Sequence, residues 1–165
     1  MNISYEIGDK LYLNITNKCP CQLHILYSSQ RWRCLWLWPT VAGTSANCRR
    51  GNRQHQKAWP WQLQGNYFCG YGEPTCELEI LKETAKYIKS VTKTPVRINT
   101  NGLSDLINKR ETPTEFKGLV DIISISLNAS DAKAYDEVTR PSFKGVNCFE
   151  EMLSFAKEWK SSCRR

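Results

Sequence analysis

Tyr67-Phe68-Cys69-Gly70-Tyr71-Gly72-Glu73-Pro74-Thr75 is the stretch on which the reading of this chain turns. Tyr67 to Cys69 form a short apolar strand, and the glycine-rich loop after it lets backbone turn and approach closely at the strand's end. Leu78, Ile80, Leu81, Ala85, Ile88 and Val91 then keep helical spacing, and Pro95 to Thr100 reads as a second strand. Strand, loop, helix and strand in that order predict a βαβ unit with a right-handed crossover.

The same alternation extends in both directions. Residues 2 to 16 read as a hairpin: Ile3, Tyr5 and Ile7 alternate with polar residues, Gly8-Asp9 supplies the turn, and Leu11, Leu13 and Ile15 alternate again. A loop follows at Asn17 to Cys21. Beyond the central unit, Leu103 to Lys109 predicts a short helix and Val120 to Leu127 a continuous apolar strand of the kind buried on both faces. Ala132 to Val138 and Phe149 to Trp159 predict two more helices. The fold class is therefore α/β with four parallel strands. In such folds ligands gather where the strands end. Those ends are Thr16-Asn17-Lys18-Cys19, Gly70-Tyr71-Gly72-Glu73-Pro74, Asn99-Thr100-Asn101-Gly102 and Ser126-Leu127-Asn128.

With 165 residues, 41% hydrophobic and 24% charged, the chain fits one domain over 1–165 with one core. Its densest apolar stretch, Leu23 to Trp38, is broken by Arg31 and Arg33 and falls short of the roughly 20 residues of a membrane helix. No basic region leads into an apolar run at the N-terminus, so a cytoplasmic protein with no membrane span is expected. A reducing compartment disfavours disulfides, leaving ligation, catalysis or burial to explain eight cysteines. Cys19 and Cys21 lie two apart, Cys69 and Cys76 seven apart, and Cys34, Cys48, Cys148 and Cys163 are scattered, without a zinc-finger pair.

The net charge of +7 is confined to one region. No Asp or Glu occurs between Lys10 and Tyr71, and residues 23 to 65 carry Arg31, Arg33, Arg49, Arg50, Arg53 and Lys57. Without those six, 17 basic residues face 16 acidic ones. The same region holds five of the six tryptophans: Trp32, Trp36, Trp38, Trp59 and Trp61.

Several strings together resemble the radical S-adenosylmethionine (SAM) superfamily, and most of all its small TatD-associated members. They are Leu11-Tyr12-Leu13-Asn14-Ile15-Thr16-Asn17-Lys18-Cys19-Pro20-Cys21, Phe68-Cys69-Gly70-Tyr71-Gly72-Glu73-Pro74-Thr75, Arg97-Ile98-Asn99-Thr100-Asn101-Gly102-Leu103, Ser124-Ile125-Ser126-Leu127-Asn128-Ala129 and Thr139-Arg140-Pro141. The resemblance covers residues 1 to 22 and about 66 to 160. It implies an incomplete (βα)6 partial barrel holding a [4Fe–4S] cluster and SAM, with an external electron donor. The activity implied is reductive SAM cleavage to a 5′-deoxyadenosyl radical, which takes hydrogen from a substrate that the sequence does not name. In the family a Cys-x3-Cys-x2-Cys loop supplies three thiolates, the first matching Cys19. Gly70, Gly72, Glu73 and Pro74 match the loop that receives the methionyl ammonium, for which a carboxylate is a suitable partner. Asn101 and Ser126 or Asn128 match positions of ribose and carboxylate contacts.

The second and third thiolate positions are Leu23 and Leu26, and leucine cannot ligate iron. One account joins this to the unusual composition: residues 23 to 65 are read one base out of frame. Codons CUG CAC AUU CUG UAU UCG for Leu23 to Ser28, with the first base dropped, encode Cys-Thr-Phe-Cys-Ile-Arg and restore both thiols. The same shift over Gly43 to Trp61 permits an acidic amphipathic helix. Residues Lys160 to Arg165 in another frame permit Glu-Phe-Val-Pro-Lys, as if the domain were truncated after about residue 160. The expectation is an inactive radical SAM-family chain with residues 23–65 irregular and its tryptophans exposed.

Two rival readings use other residues. Trp32, Trp36, Trp38, Arg31, Arg33, Arg49, Arg50 and Arg53 interleave aromatic and basic groups as single-stranded nucleic-acid binders do, although the stretch lacks strand alternation. A metal site built from Cys19, Cys21 and Cys34 is the other.

Overall fold

The computed structural model describes residues 4–22 and 63–162. The irregular stretch expected within 23–65 falls outside them except at its end: Leu63 is buried in the core and Gly65 already belongs to a strand. Trp32, Trp36, Trp38, Trp59, Trp61, Leu23, Leu26, Cys34 and the basic residues between them lie outside the described residues.

Among the described residues, five strands form one open sheet in sequence order: β1 (Ser4–Ile7), β2 (Lys10–Leu13), β3 (Gly65–Phe68), β4 (Val96–Thr100) and β5 (Ile122–Ile125). The hairpin β1–β2 is antiparallel, turning where Gly8 takes φ +60°, and β2 through β5 are parallel. The helices are α1 (Leu78–Val91), α2 (Ser104–Asn108), α3 (Ala132–Thr139) and α4 (Cys148–Ser162). The alternating α/β order is thus present.

Register explains the core. Leu13, Phe68, Ile98 and Ile123 occupy one row across the four parallel strands, and the alternate residues Tyr12, Tyr67 and Arg97 face the other way. The first row meets the apolar stripe of α1, where Leu78, Leu81, Ala85 and Ile88 are buried at helical spacing. Phe116 and Phe155 close this core edge to face, with ring centroids 6.5 Å apart. On the opposite face Tyr5, Tyr12 and Tyr67 stack across three strands at 5.3 and 5.1 Å. A second cluster, Cys21, Leu103, Tyr135, Cys148 and Met152, sits near the strand ends.

The strand expected over Val120 to Leu127 is shorter and half-exposed, with Ile122 45% accessible. Its outer edge pairs with no described strand, so its apolar composition does not bring burial on both faces. The expected helix at Leu103 to Lys109 contracts to α2, which Lys109 ends at φ 55°. No helix among the described residues is long and apolar enough to cross a membrane.

The sequence reading also passed over the 3₁₀ turn Pro113–Phe116, which delivers Phe116 to the core. Glu115 anchors this turn: Arg110 Nε donates to it at 2.7 Å, and Lys82 of α1 donates to its other oxygen. Hydrogen bonds from Arg110 and Lys82 hold the Glu115 carboxyl down at about 2. A depressed folded-state value stabilises above the ordinary glutamate value of 4.5 and loses that contribution as pH falls toward about 2. Glu115→Gln should therefore lower the urea midpoint at pH 6.5, and its gap to the parent should close between pH 4.5 and 2.5. A gap independent of pH would show that this ion-pair network does not stabilise the turn.

Candidate functional site

At the carboxyl ends of the parallel strands, three loops are tied to a single residue. Glu73 is 3% exposed. Its Oε1 accepts hydrogen bonds from Thr75 N at 3.1 Å, Thr75 Oγ1 at 2.8 Å and Thr100 Oγ1 at 2.7 Å, and its Oε2 accepts from Asn101 N at 2.7 Å. Its own backbone N–H donates to Lys18 O at 2.8 Å, joining the loop after β2. Burial pushes the carboxyl up, and the four donors pull the other way. The bond from Thr75 N also caps the 3₁₀ turn Pro74–Glu77, whose first residue, Pro74, is buried. Glu73 thus holds the loops together from beneath.

Two glycines let those loops meet. A β-carbon on Gly72 would collide with the backbone of the loop after β2, reaching Lys18 O at 2.8 Å. One on Gly70 would fall on the side-chain amide of Asn14. Asn14 Nδ2 donates to Asn17 Oδ1 at 3.3 Å, while Asn14 Oδ1 and Asn17 Nδ2, both buried atoms, have no hydrogen-bond partner. One acceptor and one donor are left over beside Gly70.

Asn101 bridges the carboxylate and the thiols. Its backbone bonds Glu73, its Oδ1 accepts from Leu103 N at 2.9 Å, and its Nδ2 donates to Cys21 Sγ at 3.6 Å. The segment around Cys21 lies along Thr139-Arg140-Pro141: Gln22 N donates to Thr139 O at 2.8 Å, Ser142 N donates to Pro20 O at 2.9 Å, and Cys21 pairs with Pro141. Arg140, at φ 44°, ends α3 and turns the chain toward that pairing. Hydrogen bonds from Cys21 to the Cys19 sulfur hold the Cys19 thiol below its usual range. The same bond, followed by burial, pushes Cys21 up. Burial, then the Glu73 charge, pushes Cys76 up to about 12.

Of the sequence-expected residues, Gly70, Gly72, Glu73, Pro74, Asn101 and Cys19 share this end of the sheet. Ser126 lies there too, its N–H donating to Thr100 O at 2.9 Å, but its side chain is exposed and joins none of these bonds. Asn128 is half-buried and likewise outside the network. Asn14, Asn17 and Thr100 carry no site role in the sequence, and Cys21 has one only in the alternative metal site with Cys19 and Cys34. Their signal was position alone, since each stands at or just beyond the carboxyl end of a strand. Among the described residues no group of three or more His, Cys, Asp or Glu side chains could hold a metal ion. Compared with known proteins, the chain matches no family profile and no curated protein.

Removing the Glu73 carboxylate strands four donors in a dry environment. Glu73→Ala should cost about 1–3 kcal/mol of stability, the penalty for leaving buried hydrogen-bonding groups unpaired. Chemical denaturation at neutral pH measures it. An unchanged midpoint would mean that the loops after β3 and β4 are held together by something other than this carboxylate.

Proposed function

We propose that the chain is a radical SAM-type domain, most similar to the TatD-associated members, that keeps the loops receiving SAM and lacks the thiolates that hold the cluster. The supporting observation is the convergence of the loops after β2, β3 and β4 on Glu73 at one end of a parallel sheet. In this reading the five-stranded sheet is one part of an incomplete (βα)6 barrel.

The donor chemistry suits SAM. Asn14 Oδ1 is a free acceptor for the methionyl ammonium, and Asn17 Nδ2 is a free donor for the carboxylate. Gly70 and Gly72 keep the neighbouring backbone close. Glu73 already accepts four hydrogen bonds, so its part is to shape the loop from below. Asn101, Ser126 and Asn128 are assigned to the ribose and carboxylate side. Bound SAM would supply an activated sulfonium, which these residues orient.

The cluster does not suit the residues present. Cys19 is the one thiolate at a family position, because Leu23 and Leu26 occupy the others. The function assigned to this chain is accordingly SAM binding without reductive cleavage. A one-base frame shift between codons near Gln22 and Gly65 accounts for the lost ligands, the missing acidic residues and the clustered tryptophans together.

Anaerobic reconstitution with iron and sulfide should leave well under one [4Fe–4S] cluster per chain; a stoichiometric cluster with mapped cysteines would overturn the assignment. Equilibrium dialysis should show saturable SAM binding without iron. Asn17→Ala should weaken it roughly tenfold or more, as losing a hydrogen bond to a charged group costs about 1.5–3 kcal/mol. Absent binding, or binding indifferent to Asn17, would sink the SAM reading. Sequencing the coding DNA should reveal compensating single-base changes near codons 22 and 65. If shifted codons for Leu23 to Leu26 do not encode two cysteines, the frame account fails.

A further inference from the structure

Cys19 and Cys21 flank Pro20, whose ring fixes φ, and the Cys21 segment is held by its pairing with Pro141. Both side chains enter one apolar cluster, with Leu103, Tyr135, Cys148 and Met152. The two cysteines stand two residues apart in that one cluster, and each shifts the other's proton affinity. Their access to solvent differs: Cys19 is half-buried, whereas Cys21 is 7% exposed. Two extended residues span about 6.6–7 Å. That is close to the roughly 6.8 Å upper limit between the α-carbons of a disulfide.

We propose that Cys19 and Cys21 form a dithiol that exchanges with low-molecular-weight disulfides, Cys19 attacking first and Cys21 resolving. The Cys19 thiolate attacks one sulfur of a disulfide such as oxidised glutathione. This forms a mixed disulfide and releases one thiolate. Cys21 then loses its proton to solvent and attacks the Cys19 sulfur. The Cys19–Cys21 bond forms, the mixed disulfide breaks and a second thiolate leaves. Two protein thiols are oxidised, one small disulfide is reduced to two thiols, and both protons are accounted for.

The accessibility difference assigns the order, because an incoming disulfide reaches Cys19 and not Cys21, while Cys21 is next to the sulfur that must be resolved. Cys76 is the competing partner, since it lies close enough to Cys19 to feel its charge. It stands on another loop, however, whereas Cys21 lies two residues from Cys19 in the same cluster. Exchange also reaches the rest of the site: oxidation removes the Cys21 thiol that Asn101 Nδ2 bonds, and the backbone of Asn101 holds Glu73. This proposal stands apart from the SAM reading and needs neither SAM nor iron.

Trypsin isolates the pair, because cleavage after Lys18 and Arg31 yields a peptide, residues 19–31, holding Cys19 and Cys21 and no other cysteine. The reduced full chain is incubated with oxidised glutathione, quenched with acid, alkylated, digested and mapped by mass spectrometry. The expected product is peptide 19–31 lighter by two hydrogens, with free glutathione released. Cys21→Ser should stop at a glutathione adduct on Cys19, and Cys19→Ser should leave Cys21 reduced. A persistent Cys19 adduct in the parent chain, a cross-link from Cys19 to the Cys76 peptide, or an unreacted Cys19 would each overturn the proposal. Cys21 reacting at the parental rate in Cys19→Ser would overturn the order of attack.

Discussion

A carboxylate buried beneath three loops is the constraint on which this end of the molecule depends. Glu73 receives donors from its own turn, from β4 and from the residue after β4, while its backbone reaches the loop after β2. Such a group is costly to bury and is tolerated where hydrogen bonds replace its lost water. Satisfying it requires three separate strand ends to stand at fixed distances from one another. The loops consequently behave as one assembly, and Gly72 is needed because they pass too closely for a β-carbon.

The sheet beneath makes that meeting possible. Parallel strands in sequence order bring all their carboxyl ends to one edge, and the shared row of Leu13, Phe68, Ile98 and Ile123 holds their register against α1. A slip of one residue would send that row to the opposite face and detach the loops from Glu73. Register, core and site are thus a single arrangement. The Arg110–Glu115–Lys82 network contributes from the rim by fixing the turn that carries Phe116 inward.

Around Cys19 the thiol environment differs from that of the cluster loop its strings resemble. Leucines at positions 23 and 26 leave Cys19 without the partners of a cluster loop. The neighbouring Cys21, spaced wrongly for that loop, is instead drawn against Thr139 to Pro141 and bonded by Asn101. The thiol environment is therefore built by tertiary contacts from the ends of α3 and β4, and spacing along the chain does not reveal it.

Alternation and helical spacing were enough to identify the β1–β2 hairpin, the parallel strands, α1, α3 and α4, because each pattern follows from which side of a strand or helix meets the core. Polar and glycine-rich strand ends likewise pointed to Gly70, Gly72, Glu73, Pro74 and Asn101. What sequence determined was therefore the fold class and the edge at which to look. The direction of Glu73, read along the chain as a partner for an ammonium, was decided by Thr75, Thr100 and Asn101, the last two standing at the end of another strand 27 and 28 residues away. The exposure of β5 was decided by its place at the edge of the sheet that the described residues form, which its apolar composition cannot encode. Residues such as Thr100 and Cys21 gained their roles from neighbours distant in sequence. Hydrogen bonding and burial depend on what lies within a few ångströms, and only the folded chain determines that.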